Sequence, residues 1–362
     1  MRVLHSTKVQ GIGGAERHLL VLLPALRERG VDARFLSLDG GLDSDRFHDA
    51  LTARGVPFER VSCNHDASPR LAADVARATR RAAPDLIHTH MVHADVYGSI
   101  AAHVLRRPFV STRHNDDRYL EGPFRYVDRA FMHGVSRIVA ISDAVRTFHE
   151  RAGLPAEKLT TIHYGLDDLP SAGSEIQPDD VIPVDAPLVL AVGRLIEQKD
   201  HATLLRAFAR VREQHGDAHL AILGWGRLEA PLRALVIELG LEESAHLLGR
   251  VEPRDWLTRA DVFAHTSRWE GFGLVLLEAM LAGVSVVATR VSAVPEIVAD
   301  GETGRLVAPG DVGAVAEQLS QLLADSALRE RLGTAGQARA RSQFSVEQMA
   351  KRTIAVYEAA VR

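Results

Sequence analysis

Two carboxylates eight residues apart, with glycines between them, are the residues of this chain best suited to chemistry on a polar ligand. They are Glu270 and Glu278, within His-Thr-Ser-Arg-Trp-Glu-Gly-Phe-Gly-Leu-Val-Leu-Leu-Glu-Ala-Met-Leu-Ala-Gly at residues 265–283. Gly271 and Gly273 leave the backbone uncovered, so a phosphate can approach closely. The run after them contains good helix formers and no breaker, which predicts a helix starting near Phe272. The first N–H groups of such a helix have no partner inside it, and its dipole favours an anion there. Glu278 then lies about two turns in, with a side chain that leans back toward the start. A carboxylate accepts two hydroxyl hydrogen bonds, and a ribose offers two neighbouring hydroxyls. The stretch can therefore hold a sugar, a phosphate and a ribose in line. A buried helix with two caps and a salt-bridged glutamate accounts for the same residues.

The surrounding elements follow from hydrophobic patterning. Arg2 to Ser6 reads as a buried strand, followed by Gly11-Ile12-Gly13-Gly14-Ala15-Glu16 and a helix from about Ala15 to Arg29. Strand, glycine turn and helix open a Rossmann-like unit. Glu16 stands where the dinucleotide fingerprint has its third glycine. Asp39 closes the next strand, Ala33 to Leu38, where a ribose-binding acid would sit, so an NAD reading stays open from this end. Helical patterns near 44–54 and 70–83 flank strands at 57–62 and 85–89, and this alternation implies a parallel sheet covered on both faces.

His88, His90 and His93 fall just past a predicted strand, at the carboxyl edge where α/β proteins bind ligands. Zinc is an alternative for them, but no cysteine or His-x3-His arrangement supports it. Ser111-Thr112-Arg113-His114-Asn115 reaches the same edge. Phe124, Val127, Phe131 and Val135 recur at helical spacing and predict a core face. Arg125 and Arg129, with Arg77, Arg80 and Arg81, form either a solvated face or a basic surface for anionic lipid headgroups.

The proline- and serine-rich stretch 169–186 reads as a linker. A second Rossmann-like pattern begins with strand Leu188 to Val192, then Gly193-Arg194-Leu195-Ile196-Glu197-Gln198-Lys199-Asp200 and a helix from about His201. Lysine occurs only at Lys8, Lys158, Lys199 and Lys351, which makes Lys199 informative. Later strands end in Gly224-Trp225-Gly226 and Gly249-Arg250-Val251, and a last helix runs from about Val346 to Val361.

At 362 residues the chain is comfortable for two domains. Its 46% hydrophobic and 25% charged content is ordinary for a globular protein. A net charge of −4 argues against a general nucleic-acid binder. The lone cysteine, Cys63, cannot form an internal disulfide and fits a reducing compartment. No apolar run approaches the ~20 residues of a membrane span.

Glu270-x7-Glu278, with Gly271-Phe272-Gly273 between, resembles the signature of the family 4 glycosyltransferases, the retaining GT-B enzymes. The resemblance implies an α/β fold of two Rossmann-like domains facing a central cleft. It places an acceptor domain at 1–168, the linker at 169–186, a nucleotide-sugar domain at 187–343, and a helix at 344–362 crossing back to the first domain. It implies catalytic roles for His114, Arg194, Lys199 and Glu270. His114 would contact the donor hexose near the reacting carbon, and Arg194 and Lys199 would meet the diphosphate. Donor binding would fall to Gly13, Gly14, Arg250, Val251, Gly271, Phe272, Gly273, Leu274 and Glu278. The family often has Asn where Tyr164 stands, and the resemblance assigns that position no role.

The implied reaction moves a hexosyl group from a nucleotide-diphosphate sugar to a hydroxyl of a glycan or lipid-linked acceptor, with retention. No cofactor is expected. No metal is expected either, because the only Asp-x-Asp, Asp43-Ser44-Asp45, lies far in sequence from the donor site, and cations with a helix start can replace a metal. The expected setting is cytoplasmic, with weak peripheral attachment to a membrane surface. A GT-B-like nucleotide-sugar epimerase or hydrolase, or a binding protein without transferase activity, are the alternatives.

Overall fold

The computed structural model describes residues 1–40, 44–63, 68–116, 118–167, 169 and 175–362. It forms two units, Met1–Gly165 with Ser345–Arg362, and Leu166–Phe344. Each is a parallel sheet with helices packed on it.

Seven strands build the sheet of the first unit: β1 (Arg2–Val9), β2 (Asp32–Asp39), β3 (Phe58–Ser62), β4 (Leu86–His90), β5 (Phe109–Arg113), β6 (Arg137–Ala140) and β7 (Leu159–Thr161). Their spatial order is β3-β2-β1-β4-β5-β6-β7. Between them run α1 (Gly14–Glu28), α2 (Asp45–Ala53), α3 (Pro69–Ala82), α4 (Met91–Leu105), α5 (Phe124–Phe131) and α6 (Asp143–Arg151). β4 and β5 are buried at every position, as strands covered on both faces must be.

The second unit has the sheet order β10-β9-β8-β11-β12-β13. Its strands are β8 (Leu188–Val192), β9 (His219–Leu223), β10 (Ala245–Gly249), β11 (Val262–His265), β12 (Ser285–Thr289) and β13 (Arg305–Val307). Its helices are α7 (His201–Gln214), α8 (Glu229–Glu238), α9 (Arg254–Arg259), α10 (Leu274–Leu281), α11 (Val294–Ile297), α12 (Val312–Ala324) and α13 (Ser326–Gln343). The last helix, α14 (Val346–Val361), belongs to the first unit, where Met349, Ala350, Val356 and Tyr357 join the core formed by Val3, Leu19 and Leu22.

Both sheets change direction beside their first strand, between β1 and β4 and between β8 and β11. The carboxyl ends of strands at such a switch leave a crevice for ligands. The glycine turn after β1 and the Gly193–Lys199 loop after β8 both start there.

Three sequence expectations change. Residues 170–174 of the expected linker lie outside the described residues. The rest of 169–186 is packed from Ile176 onward: Trp256 Nε1 donates to the Ile176 carbonyl at 3.0 Å, and Arg259 Nη2 donates to the carbonyls of Pro183, Val184 and Ala186. Helix α10 begins at Leu274 because Gly273 takes a left-handed φ of +98°, so Glu278 lies only one turn in. The apolar stripe of α5 is not a core face. Phe124 and Val127 are exposed, and only Val135 beyond the helix is fully buried. The buried residue of α5 is Asp128, which accepts from the buried Arg113 at 2.9 Å. A buried guanidinium without a carboxylate is far costlier than an exposed valine, so this ion pair sets the rotation of the short helix.

Close backbone packing fixes the loop after β8. A Cβ on Gly226 would lie 2.3 Å from the Leu195 carbonyl oxygen, whereas one on Gly216 would meet nothing within 4 Å. Gly226→Ala is therefore expected to destabilise the second unit by about 1–3 kcal/mol, the cost of overpacking, and to shift the loop carrying Lys199. Gly216→Ala is the control. Equal melting temperatures for the two variants would show that the 193–199 loop is not held in this way.

Candidate functional site

In the second unit the Gly193–Lys199 loop and the 265–273 segment meet at the carboxyl ends of β8 and β11. Leu195 N donates to the Trp225 carbonyl at 2.9 Å and Arg268 N to the Gln198 carbonyl at 2.8 Å, which ties the two segments to each other and to the β9 turn. The Lys199 stem lies against Gly193, where an added Cβ would come within 3.3 Å of it. Its ammonium forms an ion pair with Glu270, both side chains nearly buried. His265 Nε2 lies 3.3 Å from the same carboxylate oxygen, and Ser267 Oγ at 3.4 Å. Burial alone would raise the Glu270 carboxyl, but the Lys199 charge and the hydrogen bonds from His265 and Lys199 outweigh it and hold it below its ordinary value. Burial lowers His265, so its ring stays neutral beside the pair.

Arg194 is exposed at the mouth of this loop. Arg250 lies over the Trp225 ring, 4.3 Å from its centroid, with Val251 following it. Gly271 and Phe272 are buried, and Phe272 meets Phe344 edge-on at 6.0 Å. Leu274 opens α10, and Glu278 is 2% exposed within it. The expected residues Arg194, Lys199, Glu270, Gly271, Gly273 and Leu274 thus share one edge of one sheet.

In the first unit the matching edge is built from histidines. Gly13 and Gly14 are exposed at the start of α1, and the Gly13 N–H is already taken by Glu16 Oε2 at 2.9 Å. Asp39 accepts from Arg60 Nε at 2.9 Å and from Ser44 Oγ at 2.6 Å. That commitment accounts for the acid that kept a dinucleotide reading open. Asp43 of the Asp-x-Asp lies outside the described residues, and Asp45 pairs with Arg60.

His114 follows β5 and is buried. Its Nε2 lies 3.0 Å from His90 Nδ1, and its Nδ1 bonds the Tyr164 hydroxyl. His18, one turn after the glycine loop, stacks on Tyr164 with centroids 4.3 Å apart. On either side of His114, Arg113 Nη2 reaches Asp95 at 3.3 Å and Asp128 at 2.9 Å, and the Asn115 carbonyl lies 3.1 Å from His149 Nε2. The segment 113–115 is therefore anchored at three consecutive residues.

His88 and His90 do not lie past the strand but inside β4, buried. With His5 they bring one ring nitrogen each within 4.8 Å of one another. All six of their nitrogens are engaged in hydrogen bonds to His, Tyr or Thr partners, so hydrogen bonding accounts for the cluster without a metal. His93 lies apart on α4, its Nε2 3.8 Å from Cys63 Sγ.

Comparisons with known proteins bear on this geometry. The family model Glycosyltransferase Family 4 matches residues 12–168, and Glycosyl transferases group 1 matches residues 174–339. A phosphatidyl-myo-inositol mannosyltransferase of Mycobacterium leprae is 32% identical over 96% of this chain and 93% of its own. The chain belongs to the family 4 glycosyltransferases. An alpha-maltose-1-phosphate synthase of Mycobacterium tuberculosis is 28% identical over 83% of this chain and 86% of its own. Among solved structures, HepE of Anabaena in complex with UDP and glucose aligns with a TM-score of 0.86 at 25% identity, covering 99% of this chain and 100% of that one. The fold is GT-B.

Against this family 4 background, several residues at the two edges carried no sequence-based role. Trp225 and His265 lie inside motifs that drew attention for their glycines and Glu270. His18 could have been found from its spacing, one turn beyond Gly14. His5 and Tyr357 gave no signal, because nothing in sequence links β1 to α14.

The buried histidines of this glycosyltransferase fix the sign of its acid response. Burial, with the charge of His18 adding to it, lowers His5 to about 3, and burial lowers His18 to about 3. Burial, with Arg113 nearby, lowers His149 to about 3. Burial likewise pushes His88, His90 and His114 well below the ordinary value. These groups are neutral when folded and regain a value near 6.5 on unfolding. Below pH 6.5 the unfolded chain takes up protons that the folded one refuses, so stability is lost as pH falls from about 6.5 toward 3. At pH 5 each such histidine costs about 2 kcal/mol, at about 1.4 kcal/mol per pH unit. Urea unfolding of the first unit is expected to weaken steeply between pH 7 and 5, with a slope of several protons. A flat profile over that window would show these rings to be solvated.

Proposed function

We propose that this glycosyltransferase moves a hexosyl group, with retention, from a nucleotide-diphosphate sugar to a hydroxyl of a lipid-linked or cell-surface glycan intermediate. The observation that carries the reading is the Lys199–Glu270 pair at the switch point of the second sheet, beside exposed Arg194 and the start of α10. In this reading the diphosphate lies against Arg194, Lys199 and the Gly271–Leu274 backbone. Glu270, held ionised by Lys199, accepts from sugar hydroxyls. Glu278 takes the ribose hydroxyls, and Arg250-Val251 beside Trp225 takes the base. The family resemblance assigns Gly13, Gly14 and His114 to the donor and gives the acceptor to the first unit.

As the glycosidic bond breaks, negative charge grows on the leaving diphosphate. Preorganised cations matter most when they bind that charge better in the transition state than in the ground state. No carboxylate is assigned as an internal nucleophile, so departure and attack occur on the same face, and the diphosphate assists deprotonation of the acceptor. No metal is required, since Arg194, Lys199 and a helix start supply the counter-charge. UDP-glucose is the first donor to try, because HepE was crystallised with it. Incubation with UDP-, GDP- and ADP-sugars and a lipid-linked acceptor tests the function. A new glycoside supports it, whereas only an epimerised or hydrolysed donor, or binding without turnover, would replace it with one of those alternatives.

Lys199→Ala is expected to lower kcat by about 10²–10³ with a smaller change in donor KM. It also strands the Glu270 carboxylate, at about 3–5 kcal/mol of stability. The double variant Lys199→Ala/Glu270→Gln should recover stability without recovering turnover. Recovery of both would assign the pair to folding alone.

The lipid-linked acceptor is supported by the surface of the first unit and by the M. leprae relative, whose name places a phosphatidyl-myo-inositol on its acceptor side. Tyr119, Phe124, Tyr126 and Val127 are exposed beside Arg125 and Arg129. On α3, Arg77 and Arg81 are exposed but pair with Asp74 and Glu59, whereas Arg80 is exposed with no ion pair among the described residues, so Arg80, Arg125 and Arg129 are the better lipid contacts. No helix among the described residues is long and apolar enough to cross a membrane. Anionic liposomes are expected to sediment the protein at low salt and release most of it at 0.5 M salt, as screening requires. Phe124→Ser/Val127→Ser should weaken binding at low salt. Equal recovery with neutral and anionic vesicles would exclude this surface.

A further inference from the structure

Seven side chains of the first unit form one unbranched run of hydrogen bonds. Thr112 Oγ1 lies 2.7 Å from His88 Nε2, and His88 Nδ1 lies 2.7 Å from the Tyr357 hydroxyl. The same hydroxyl lies 3.1 Å from His5 Nε2, and His5 Nδ1 lies 3.0 Å from His90 Nε2. His90 Nδ1 lies 3.0 Å from His114 Nε2, and His114 Nδ1 bonds the Tyr164 hydroxyl. The run leaves β5, crosses to β4, passes through the C-terminal helix α14 to β1, returns to β4, reaches His114 two residues beyond its starting point, and ends at Tyr164. All seven residues are buried.

A neutral imidazole has one N–H and one bare nitrogen, so each ring here must donate once and accept once. A reversal at a histidine–histidine link would put two protons, or none, between two buried nitrogens, and a reversal at Tyr357 would either demand two protons of its hydroxyl or leave that hydroxyl proton with no acceptor in the run. An unsatisfied buried polar group costs about 1–3 kcal/mol, and such bonds strengthen one another along a chain. Only two arrangements satisfy every link and also place the Tyr357 proton within the run. Either all four histidines carry the proton on Nδ1 and the run points toward Tyr164, or all four carry it on Nε2 and it points toward Thr112. In the first, His114 donates to Tyr164, and Tyr164 passes its own proton onward. In the second, Tyr164 spends that proton on His114.

We propose that Tyr357, His5 and His90 are positioning residues for His114, setting its tautomer and the polarity of Tyr164 through this single run of shared protons. The link to catalysis rests on the reading of His114 as a donor-side group. The C-terminal helix thereby determines a proton position at a residue more than two hundred positions earlier in the chain. Tyr164, where the family often has Asn, is the group through which the run leaves the histidines.

The test uses the full chain with ¹⁵N-labelled histidine, whose ring nitrogens report protonated and bare states directly. His5, His88, His90 and His114 are expected to be neutral and to share one tautomer. A mixture of senses among the four, or a charged ring, would overturn the proposal. Tyr357→Phe keeps the buried ring and removes two links, so the His114 nitrogens should shift although His114 does not touch Tyr357. A response confined to His5 and His88 would also overturn it. Thr112→Val breaks the other end and gives the same readout if Tyr357→Phe does not fold. With UDP-glucose as the probe, release of UDP should fall about tenfold in kcat for Tyr357→Phe, the lower end of what losing an outer partner costs a metal-bound histidine, with KM within about twofold. If the His114 nitrogens respond but His114→Ala leaves UDP release unchanged, the run stands and the donor-side role of His114 falls.

Discussion

A buried polar group must find a partner, and this constraint shapes both functional edges of the molecule. Parallel sheets covered on two faces leave the carboxyl ends of their strands as the place where polar side chains can converge. Each unit solves the pairing problem there in a different currency. The second unit buries charge against charge, Lys199 against Glu270, and tunes the pair with His265 and Ser267. The first unit keeps its histidines neutral and pairs them nitrogen to nitrogen. Where it does bury charge, at Arg113, two aspartates surround the guanidinium. The rotation of α5 and the docking of Tyr357 on α14 follow from satisfying these groups.

The alternation of strands and helices was legible in the sequence because β-strands covered on both faces are nearly continuous apolar runs, while helices carry a 3.6-residue stripe. The β8 loop and the Glu270 stretch were legible too, because glycines and scarce lysines are local signals. What pairs with what was not. Lys199 and Glu270 are 71 residues apart and were assigned separately to phosphate and sugar, yet they hold each other. α5 was misread because its period is real but its rotation is set by Asp128 meeting Arg113, a contact that periodicity cannot register. The histidines of β4 were placed beyond the strand because histidine is a poor core residue by itself. It becomes one only when His5, from β1, and Tyr357, from the last helix, supply partners. The start of α10 moved by two residues because Gly273 takes a left-handed φ that a right-handed helix cannot contain.

The two currencies suit different ligands. A nucleotide diphosphate is doubly charged or more, and a cation already held close to a carboxylate meets it without the cost of ordering a long side chain at the moment of binding. Glu270 also keeps Lys199 from being an isolated buried charge when no anion is near, which a lone lysine at this depth could avoid only by losing its proton. On the proposed reading, the donor diphosphate joins Glu270 as a second ionic partner of Lys199 while sugar hydroxyls reach Glu270, so neither charge is left unpaired.

The edge of the first unit is neutral instead. A neutral imidazole or phenol offers one donor and one acceptor of fixed geometry. The first unit has built its edge from such groups, and burial keeps them neutral well below physiological pH. The cost is susceptibility to acid, since every one of these rings is a proton acceptor released on unfolding. Precision of hydrogen bonding and loss of stability in acid are thus two consequences of one choice, to fill the carboxyl edge of a sheet with histidine and to pair both ring nitrogens of His5, His88, His90 and His114.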